Sequence, residues 1–344
     1  MEFIRVEDCC EILDSQRKPV TESERVPGMY PYYGANGMQG TINQYIFDDK
    51  LVLVAEDGGH FGSKTKPIAY LVNGKCWVNN HAHVLRAKKG FLAEYICYSL
   101  MFYKIEGYIN GATRQKLTQA ALRKLLIPKR SVEYQKAIVD RLDLVRYIIE
   151  KRQNIINELD LLIKSRFVEL FGDVVLNTLN WPLVKLSDIA EYRIGLTYKP
   201  EAVSTSGTAV LRSGNIQNSQ LCYEDTIYVN SKVESKLLLK KHDILMCARN
   251  GSQSLVGKVA LIENDISNTT YGAFMMAISS KYYVYLFEYF RSRAFRRLIS
   301  VGSTTTINQV TTRMLNSIVI PLPDMDTINR FSLYHSQINK LKFA

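Results

Sequence analysis

The sequence lacks the features of a membrane-bound or secreted protein. No apolar run approaches the roughly 20 residues that a membrane span needs. The first residues, MEFIRVEDCCEIL, lack the basic-then-apolar order of a signal peptide. The six cysteines show no C-x-x-C spacing, which is typical of thiols in a reducing compartment and not of disulfides or a zinc site. We therefore expect a cytoplasmic protein without membrane association.

Motifs of nucleotide-dependent and DNA-modifying enzymes are also absent. No G-x-x-x-x-G-K-[ST] loop is present to cradle a nucleotide phosphate. No [ND]-P-P-[YFW] tetrapeptide is present to hold a target base for amino-methylation. No glycine-rich fingerprint follows a predicted strand, where it would hold S-adenosylmethionine or a dinucleotide. We expect no catalytic activity and no cofactor for this chain alone.

The composition points to a globular protein with a polyanionic partner. Hydrophobic residues make up 47% of the 344 residues, which is enough for one large or two ordinary domains. The formal net charge is +11 and the sequence pI is near 9.2. A charge of this size favours nucleic acid as a partner.

Three segments recur in the same order in the two halves of the chain. The first pair is shifted by 180 residues and the other two by 193. Three collinear matches predict a duplicated domain, although identity within the pairs is low. The aligned pairs are FIRVEDCCEI (3–12) with LVKLSDIAEY (183–192), DKLVLVAEDG (49–58) with HDILMCARNG (242–251), and KLTQAALRKLLIP (116–128) with QVTTRMLNSIVIP (309–321).

A segment without glycine or proline, residues 131–171, separates the two copies. Its apolar residues follow the three-four spacing of a coiled-coil seam, which Arg152 interrupts once. Such a helix is on the order of 60 Å long and needs a partner to cover its single stripe. The alternative is a helix packed on a globular core. The stripe consists of Ile138, Leu142, Val145, Ile149, Ile156, Leu159 and Ile163.

The net positive charge lies in the two copies and not in the segment between them. Residues 1–130 carry 18 basic and 13 acidic side chains, and residues 174–344 carry 19 and 12. Residues 131–171 carry seven of each, so two nucleic-acid-binding heads on a neutral strut are indicated. The predicted segments are a head at 1–130, a long helix at 131–172, a second head at 173–322 and a short helix at 323–344.

The stretch PYYGANGMQG at residues 31–40 combines paired tyrosines, an Asn-Gly pair and three glycines. It shows no hydrophobic alternation, so we expect a loop and not a strand interior. Tyrosine contacts phosphates, asparagine makes bidentate contacts to adenine, and glycine permits close backbone approach. The alternative is a structural turn with Tyr33 packed inward.

Basic and amide side chains elsewhere extend this set of candidate DNA contacts. Arginine and lysine suit guanine edges and phosphates, while asparagine and glutamine suit adenine. Three arginines of a predicted helix, Arg293, Arg296 and Arg297, face either DNA or solvent. The candidates are Tyr32, Tyr33, Asn36, Lys64, Lys66, Arg114 and Lys116 in the first copy, and Arg212, Asn215, Arg249, Asn250, Gln253 and Lys258 in the second.

A zinc site is the alternative use of the histidines. His81 and His83 share a face if their segment is a strand, and His60 and Cys76 lie near them in the sequence. We expect instead that NNHAHVL satisfies hydrogen bonds of a turn and the core, and that the chain holds no metal.

The neighbouring carboxylates Glu56 and Asp57 align with Arg249 and Asn250 in the second copy. The position is therefore polar in both copies but carries opposite charge. A variable polar tip on a common frame suits recognition better than catalysis.

Four motifs, taken together in order, resemble the specificity subunit of type I restriction-modification systems. The motifs are YPYYGANG (30–37), LVAEDGG (53–59), WVNNHAHVLR (77–86) and KLTQAALRKLLIP (116–128) followed by a long helix. The resemblance spans essentially the whole chain. It implies an α+β fold in which two duplicated mixed α/β target recognition domains are joined by long coiled-coil-forming helices.

The resemblance also implies a division of labour. Each domain would read one half of a split site in double-stranded DNA, while the helices set the gap and dock the modification subunits. Those methyltransferase subunits would bring S-adenosylmethionine and methylate adenine. Restriction subunits would bring ATP-driven translocation and cleavage, and this chain would be non-catalytic.

Several alternatives stay open. Family members usually carry a second helix comparable to the first, whereas this sequence stops at Ala344. Either the chain is shortened or the helices pair only in part, and self-association through the exposed helix is a further alternative. The chain is otherwise the specificity component of a related system with a fused methyltransferase-nuclease partner, a self-sufficient DNA-modifying enzyme, or a coiled-coil scaffold.

Overall fold

The computed structural model describes residues 2–111, 115–301 and 308–343. The chain divides into two compact units, Met1–Lys151 and Arg152–Ala344. Both combine helices with sheets, which confirms the predicted α+β class. None of the described helices is long and apolar enough to cross a membrane.

In the residues that the structure describes, the first unit contains ten strands and the start of a long helix. Its helices are α1 (Val6–Cys9), α2 (Ala93–Leu100), α3 (Gln119–Lys124) and α4 (Val132–Phe171), the last of which continues into the second unit. Its strands are β1 (Phe3–Arg5), β2 (Cys10–Ile12), β3 (Tyr30–Gly34), β4 (Gly37–Ile42), β5 (Phe47–Ala55), β6 (Ala69–Val78), β7 (Ala82–Ala87), β8 (Ile109–Asn110), β9 (Lys116–Leu117) and β10 (Leu126–Pro128).

Six of these strands form one sheet in the order β2-β7-β5-β6-β3-β4. Residues 51–55 of β5 are fully buried, because both faces of the sheet are covered at this strand. Val52 and Val54 pack in the cluster that contains Ile96 of α2, while Leu51 and Leu53 belong to a second cluster. A continuous apolar run is what a strand buried on both faces requires.

The predicted loop at residues 31–40 is wrong, because this stretch forms the β-hairpin β3–β4. Tyr32 packs with Ile42 and Trp77, three residues far apart in the sequence, so no local alternation reveals the buried face. The turn lies at residues 35–36, and Gly37 follows with a φ of 109° that glycine adopts readily.

The described residues of the second unit form twelve strands and four further α-helices. The strands are β11 (Leu183–Lys185), β12 (Glu191–Ile194), β13 (Val203–Ser204), β14 (Thr208–Leu211), β15 (Ile216–Gln217), β16 (Gln220–Leu221), β17 (Ile227–Val229), β18 (Ile244–Cys247), β19 (Val259–Leu261), β20 (Thr269–Tyr271), β21 (Met275–Ser279) and β22 (Val319–Pro321). The helices are α5 (Tyr283–Arg291), α6 (Arg293–Val301), α7 (Thr312–Ser317) and α8 (Met325–Phe343).

The strand order of the second unit repeats that of the first. The sheet β12-β21-β18-β19 corresponds to β2-β7-β5-β6. β20 pairs in parallel with β14 as β6 pairs in parallel with β3, so the long strand β6 corresponds to the two strands β19 and β20. In the second unit the parallel pair belongs to a separate sheet, β13-β17-β14-β20.

The first and last strands of each unit form an antiparallel pair, which we call the terminal strand pair. In the first unit β1 pairs with β10 and Phe3 lies opposite Pro128. In the second unit β11 pairs with β22 and Leu183 lies opposite Pro321. These partners differ by the shifts of 180 and 193 residues that the repeats predict, which confirms the duplication.

The predicted alignment of the central strands is wrong by one residue. Ala55 N donates to Ile68 O at 2.8 Å, and the equivalent bond in the second unit runs from Cys247 N to Lys258 O at 2.8 Å. The shift between β5 and β18 is therefore 192 and not 193. An apolar run buried on both faces does not reveal its own register, because neither face is marked by polar residues.

This correction changes which polar residues correspond. Glu56 and Asp57 of the first unit match Ala248 and Arg249 of the second, and not Arg249 and Asn250. Asp57, and not Glu56, is therefore the acidic residue whose counterpart in the second unit is basic. The equivalence of Asp57 with Arg249 recurs in the isolated bridges that each of them makes.

Helix α4 confirms the predicted long helix, and its carboxyl-terminal part belongs to the core of the second unit. The rings of Phe167 and Phe171 lie 5.6 and 5.2 Å from the ring of Phe331 in α8. Within the first unit, Val145 and Ile149 of the predicted stripe are 51% and 63% exposed. The stripe is therefore covered in its later part and uncovered in its middle.

We expect Phe331→Ala to lower the free energy of unfolding by about 3–5 kcal/mol, because it removes a fully buried ring from between two helices. Leu333→Ala is the control, since Leu333 lies in the same helix but is 63% exposed, and it should change stability by less than about 0.5 kcal/mol. Urea unfolding followed by circular dichroism measures both. Equal effects would show that α8 does not pack as described.

Candidate nucleic-acid interface

Four backbone segments of the first unit meet at one end of its sheet, and we call this its recognition end. Glu56 N donates to His81 O at 2.9 Å, and Leu117 N donates to Glu56 O at 2.7 Å. The side-chain amide of Asn36 donates to Gly58 O at 2.9 Å and so ties the β3–β4 turn to the loop after β5. The recognition end of the first unit comprises residues 35–36, 56–58, 81 and 116.

The second unit repeats this frame with other side chains. Ala248 N donates to Phe274 O at 2.9 Å, and Val310 N donates to Ala248 O at 2.7 Å. Here the amide of Asn250 donates to the hydroxyl of Ser213 at 3.1 Å, which again ties the loop after the central strand to the loop after β14. The recognition end of the second unit comprises residues 213–214, 248–250, 274 and 309.

One pair of side chains differs sharply between the two recognition ends. In the first unit His81 Nδ1 lies 2.7 Å from Asp57 Oδ1. In the second unit the equivalent positions are Phe274 and Arg249, and the Arg249 guanidinium lies 5.3 Å from the centre of the Phe274 ring. Phe274 is not among the predicted site residues, because YGAFMMAIS reads as an apolar strand. Only the structural alignment of Phe274 with His81 shows that Phe274 is the residue directly before β21.

The candidate tyrosines of the first copy pack against other residues of the same unit. Tyr32 is 2% exposed, its hydroxyl donates to Val20 O at 3.0 Å, and the Arg25 guanidinium lies 3.8 Å from its ring centre. Tyr33 is half-buried against Tyr70, with ring centres 5.9 Å apart. Tyr32 therefore has no face for a base, and Tyr33 fits the alternative of a tyrosine packed inward.

The polar candidates of the first copy fall into two groups. Lys116 bonds to Glu56 with Nζ 2.9 Å from Oε1, so its charge is already compensated within the unit. Arg114 lies outside the described residues. Asn36, Lys64 and Lys66 are exposed, and so is Lys116 despite its ion pair.

In the second copy, Asn215 organises its own loop and is 2% exposed. Its side-chain oxygen accepts from Arg212 N at 2.8 Å, and its amide nitrogen donates to Cys222 O at 2.8 Å and Glu224 O at 3.2 Å. The predicted contact from Asn215 to adenine conflicts with this placement, because both the oxygen and the nitrogen of its amide already form hydrogen bonds within the loop.

The remaining candidates of the second copy differ in exposure. Lys258 donates to Ile216 O at 3.3 Å and is half-buried, as is Asn250. Arg296 donates to Val256 O, and burial lowers the pKa of its guanidinium. The exposed candidates are Arg212, Arg249 and Gln253, together with Arg293 and Arg297 of α6.

The histidines and Cys76 do not converge on a zinc ion. His83 is fully buried, with Nδ1 2.6 Å from Asp14 Oδ2 and Nε2 2.8 Å from Leu117 O. Because a carbonyl oxygen only accepts, Nε2 carries a proton, and Nδ1 faces the carboxylate of Asp14. Burial raises the pKa of the Cys76 thiol to about 11, far from the thiolate that zinc binds.

Among the described residues, Asp14, Glu56 and His83 are the only group of three metal-ligating side chains that converge. Arg17 lies 2.6 Å from Glu56, and Lys116 lies 2.9 Å from it, so cations of the chain already occupy this cluster. Burial alone would raise the pKa of the Asp14 carboxyl, but the hydrogen bond from His83 lowers it overall. The cluster fits an internal ion-pair network and not a divalent metal.

The model of the type I restriction modification DNA specificity domain matches residues 1–161 and again residues 179–331. The chain therefore belongs to this family and contains the domain twice.

Known relatives agree in fold and in part of the sequence. A Haemophilus influenzae protein named as a type I restriction enzyme specificity subunit is 35% identical over 143 residues, which is 42% of this chain and 37% of the relative. The StySPI specificity subunit of Salmonella potsdam is 25% identical over 154 residues, 42% of this chain and 33% of the relative. The matches thus span about a third of these relatives.

A solved S subunit of a type I restriction-modification system from M. genitalium shares the fold. Its TM-score is 0.60 at 15% identity, and the match covers 99% of this chain and 90% of that one. At this identity the likeness concerns the fold alone.

We expect Asp14→Asn to lower the free energy of unfolding at pH 7 by about 3–5 kcal/mol, because it removes the carboxylate next to the buried His83 and the charged partner of Arg17 from an interior network. The folded-state pKa of Asp14 is lowered, so its contribution is present above the unfolded-state pKa near about 4 and is lost as the pH falls through the folded value. The difference in the free energy of unfolding between variant and wild type should therefore become smaller as the pH falls below about 4.

Urea unfolding between pH 3 and pH 7 measures this difference. Asp48→Asn is the matched control, because Asp48 is an exposed aspartate of the same unit. A difference that stays constant over this pH range would contradict the assigned role of Asp14.

Proposed function

We propose that this chain is a non-catalytic DNA specificity subunit whose two units each read one half of a bipartite double-stranded site. The observation that carries the proposal is the pair of recognition ends. A common backbone frame holds Asp57 and His81 in one unit and Arg249 and Phe274 in the other. Such a frame presents different hydrogen-bonding groups from the same place, which suits two different half-sites.

The charge distribution supports DNA as the substrate. The segments 1–130 and 174–344 carry net charges of +5 and +7, while residues 131–171 are neutral. Lysine and arginine that neutralise phosphates give salt-dependent binding without sequence information, and the recognition ends would add the sequence information. Because this substrate is chromosomal DNA, we place the protein in the cytoplasm.

The partners we propose are modification subunits and, with them, restriction subunits. The modification subunits would supply S-adenosylmethionine and methylate adenine, and the restriction subunits would translocate and cleave. Exposed apolar side chains on α4 support a docking role, because apolar residues in this number are unfavourable in water. They are Leu144, Val145, Tyr147, Ile148, Ile149, Ile155, Leu161 and Leu162.

Co-expression with a modification subunit from the same operon, followed by mapping of methylated adenines across the host genome, tests this function. We expect one split motif with a fixed gap, because two units would read two half-sites at a set distance. An undivided motif would contradict two working units. A stable complex that methylates nothing would contradict the specificity role altogether.

We also propose that α4 sets the gap, since it begins in the first unit and ends in the second. Insertion near Asn157 would disturb the packed part of the helix, because Leu159 and Ile163 lie against the core of the second unit. Insertion after Ile148, in the exposed stretch, avoids this.

Seven residues inserted after Ile148 add two turns and about 10 Å, and they nearly preserve the helical phase. We expect the gap in the methylated motif to grow by about 3 base pairs, at 3.4 Å per base pair, with both half-sites unchanged. Exchange of seven residues in the same stretch without a change of length is the control. An unchanged gap would show that α4 is not the ruler.

A further inference from the structure

The Phe274 side chain is 59% exposed at the recognition end of the second unit. A single exposed aromatic residue is common and needs no explanation by itself. Phe274 differs in three respects: its backbone is fastened, a guanidinium lies over its ring, and its position matches His81 in the other recognition end.

The backbone around Phe274 is held by several hydrogen bonds. Phe274 O accepts from both Ala248 N at 2.9 Å and Arg249 N at 3.0 Å. On the other side of the turn, Gly272 N donates to Leu211 O at 2.9 Å. The ring therefore stands on a rigid turn, and little conformational entropy is lost when it meets a ligand.

The turn is also packed tightly against the loop that follows β12. A Cβ atom on Gly195 would lie 2.2 Å from the carbonyl oxygen of Gly272, so only glycine fits at that contact. Close packing of this kind fixes the backbone that carries the ring.

The neighbours of the ring are basic and amide side chains. The Arg249 guanidinium stacks 5.3 Å from the ring centre, the Arg212 side chain runs beside Gly272, and Asn250 follows Arg249. In the major groove, arginine pairs with the O6 and N7 of guanine, and the only apolar group among the base edges is the methyl group of thymine. A phenyl ring beside an arginine matches this combination.

Resting on the proposed function, we propose that Arg249 and Phe274 together read a guanine and a thymine in adjoining base pairs. Arg249 donates to the guanine O6 and N7, and the Phe274 ring contacts the thymine methyl. The 5.3 Å between guanidinium and ring suits neighbouring base pairs, whose rise is about 3.4 Å.

The first unit lacks this reader. At the equivalent positions His81 bonds to Asp57, and both side chains are polar. Aspartate accepts from the amino group of cytosine, and the His81 ring is held by its hydrogen bond to that aspartate. The thymine contact therefore belongs to the half-site of the second unit alone.

The test removes the methyl group from DNA and the ring from the protein. Once methylation mapping has given the motif, each thymine in it is replaced singly by deoxyuridine, and binding of the full chain with its modification subunits is measured. One replacement should weaken wild-type binding about fourfold, the affinity equivalent of one buried methyl group. Phe274→Ala should bind the normal site more weakly and be insensitive to that replacement.

Two further variants complete the design. Phe274→Leu keeps an apolar contact and should stay sensitive to deoxyuridine. Phe3→Ala is the matched control, because Phe3 is 51% exposed on β1, which pairs with β10, and this variant should behave as wild type. The deoxyuridine measurement on wild type stands even if Phe274→Ala folds poorly, since it alters only the DNA.

The inference is overturned if no deoxyuridine replacement weakens wild-type binding. It is also overturned if Phe274→Ala keeps the wild-type sensitivity, or if this variant weakens binding to all sequences equally, as a backbone contact would. Failure of the proposed function is distinct, because wild type would then select no split motif at all.

Discussion

The terminal strand pair is the constraint on which the arrangement of each unit depends. It brings the first and last strands of a unit together, so the chain enters and leaves at one place. One further bond extends it in each copy: Val6 N donates to Leu125 O in the first, and Leu186 N donates to Ile318 O in the second, both at 2.9 Å. A long helix follows each pair after a short link, α4 at Val132 and α8 at Met325. In the first unit β2 joins β7 at the end remote from His81, so the helix attachment and the recognition end occupy different parts of the sheet.

The division between fixed backbone and variable side chains follows from this arrangement. The loop after the central strand is held through main-chain bonds to Glu56 in one unit and to Ala248 in the other, so its shape does not depend on side chains there. Even the tie between loops is made differently, by Asn36 in the first unit and by Asn250 in the second. A site built in this way changes its chemistry by substitution without a change of fold.

The sequence predicts those parts of the molecule whose physical signal is local. The collinear repeats predict the partners of the terminal strand pair, and the three-four spacing predicts α4. The register of β5 against β18 is not predictable, because a run buried on both faces carries no polar mark of phase. The roles of Tyr32 and Asn215 are not predictable either, since tyrosine and asparagine serve equally as base contacts and as hydrogen-bonding groups inside a fold. Phe274 is not predictable either, although it is exposed where Tyr32 and Asn215 are buried. Only the three-dimensional structure shows that this residue, directly before an apolar strand, is exposed.

The buried charges beneath α8 bear on how the helices keep their register. Asp160 of α4 accepts from Lys342 Nζ at 2.8 Å, and Arg291 of α5 bonds to Glu288 at 2.5 Å, near His335 of α8. Burial alone would raise the pKa of the Glu288 carboxyl, yet the neighbouring His335 ring and the charge of Arg291 lower it. Buried ion pairs add little net stability, but a broken pair leaves a buried charge that costs several kcal/mol, about 3–5 in typical cases. A slip of α8 by one turn would break the Lys342–Asp160 pair and separate His335 from Glu288, whereas apolar contacts alone tolerate it. If helix length is to measure DNA, the helices must not slide, and it is the charged pairs that penalise sliding.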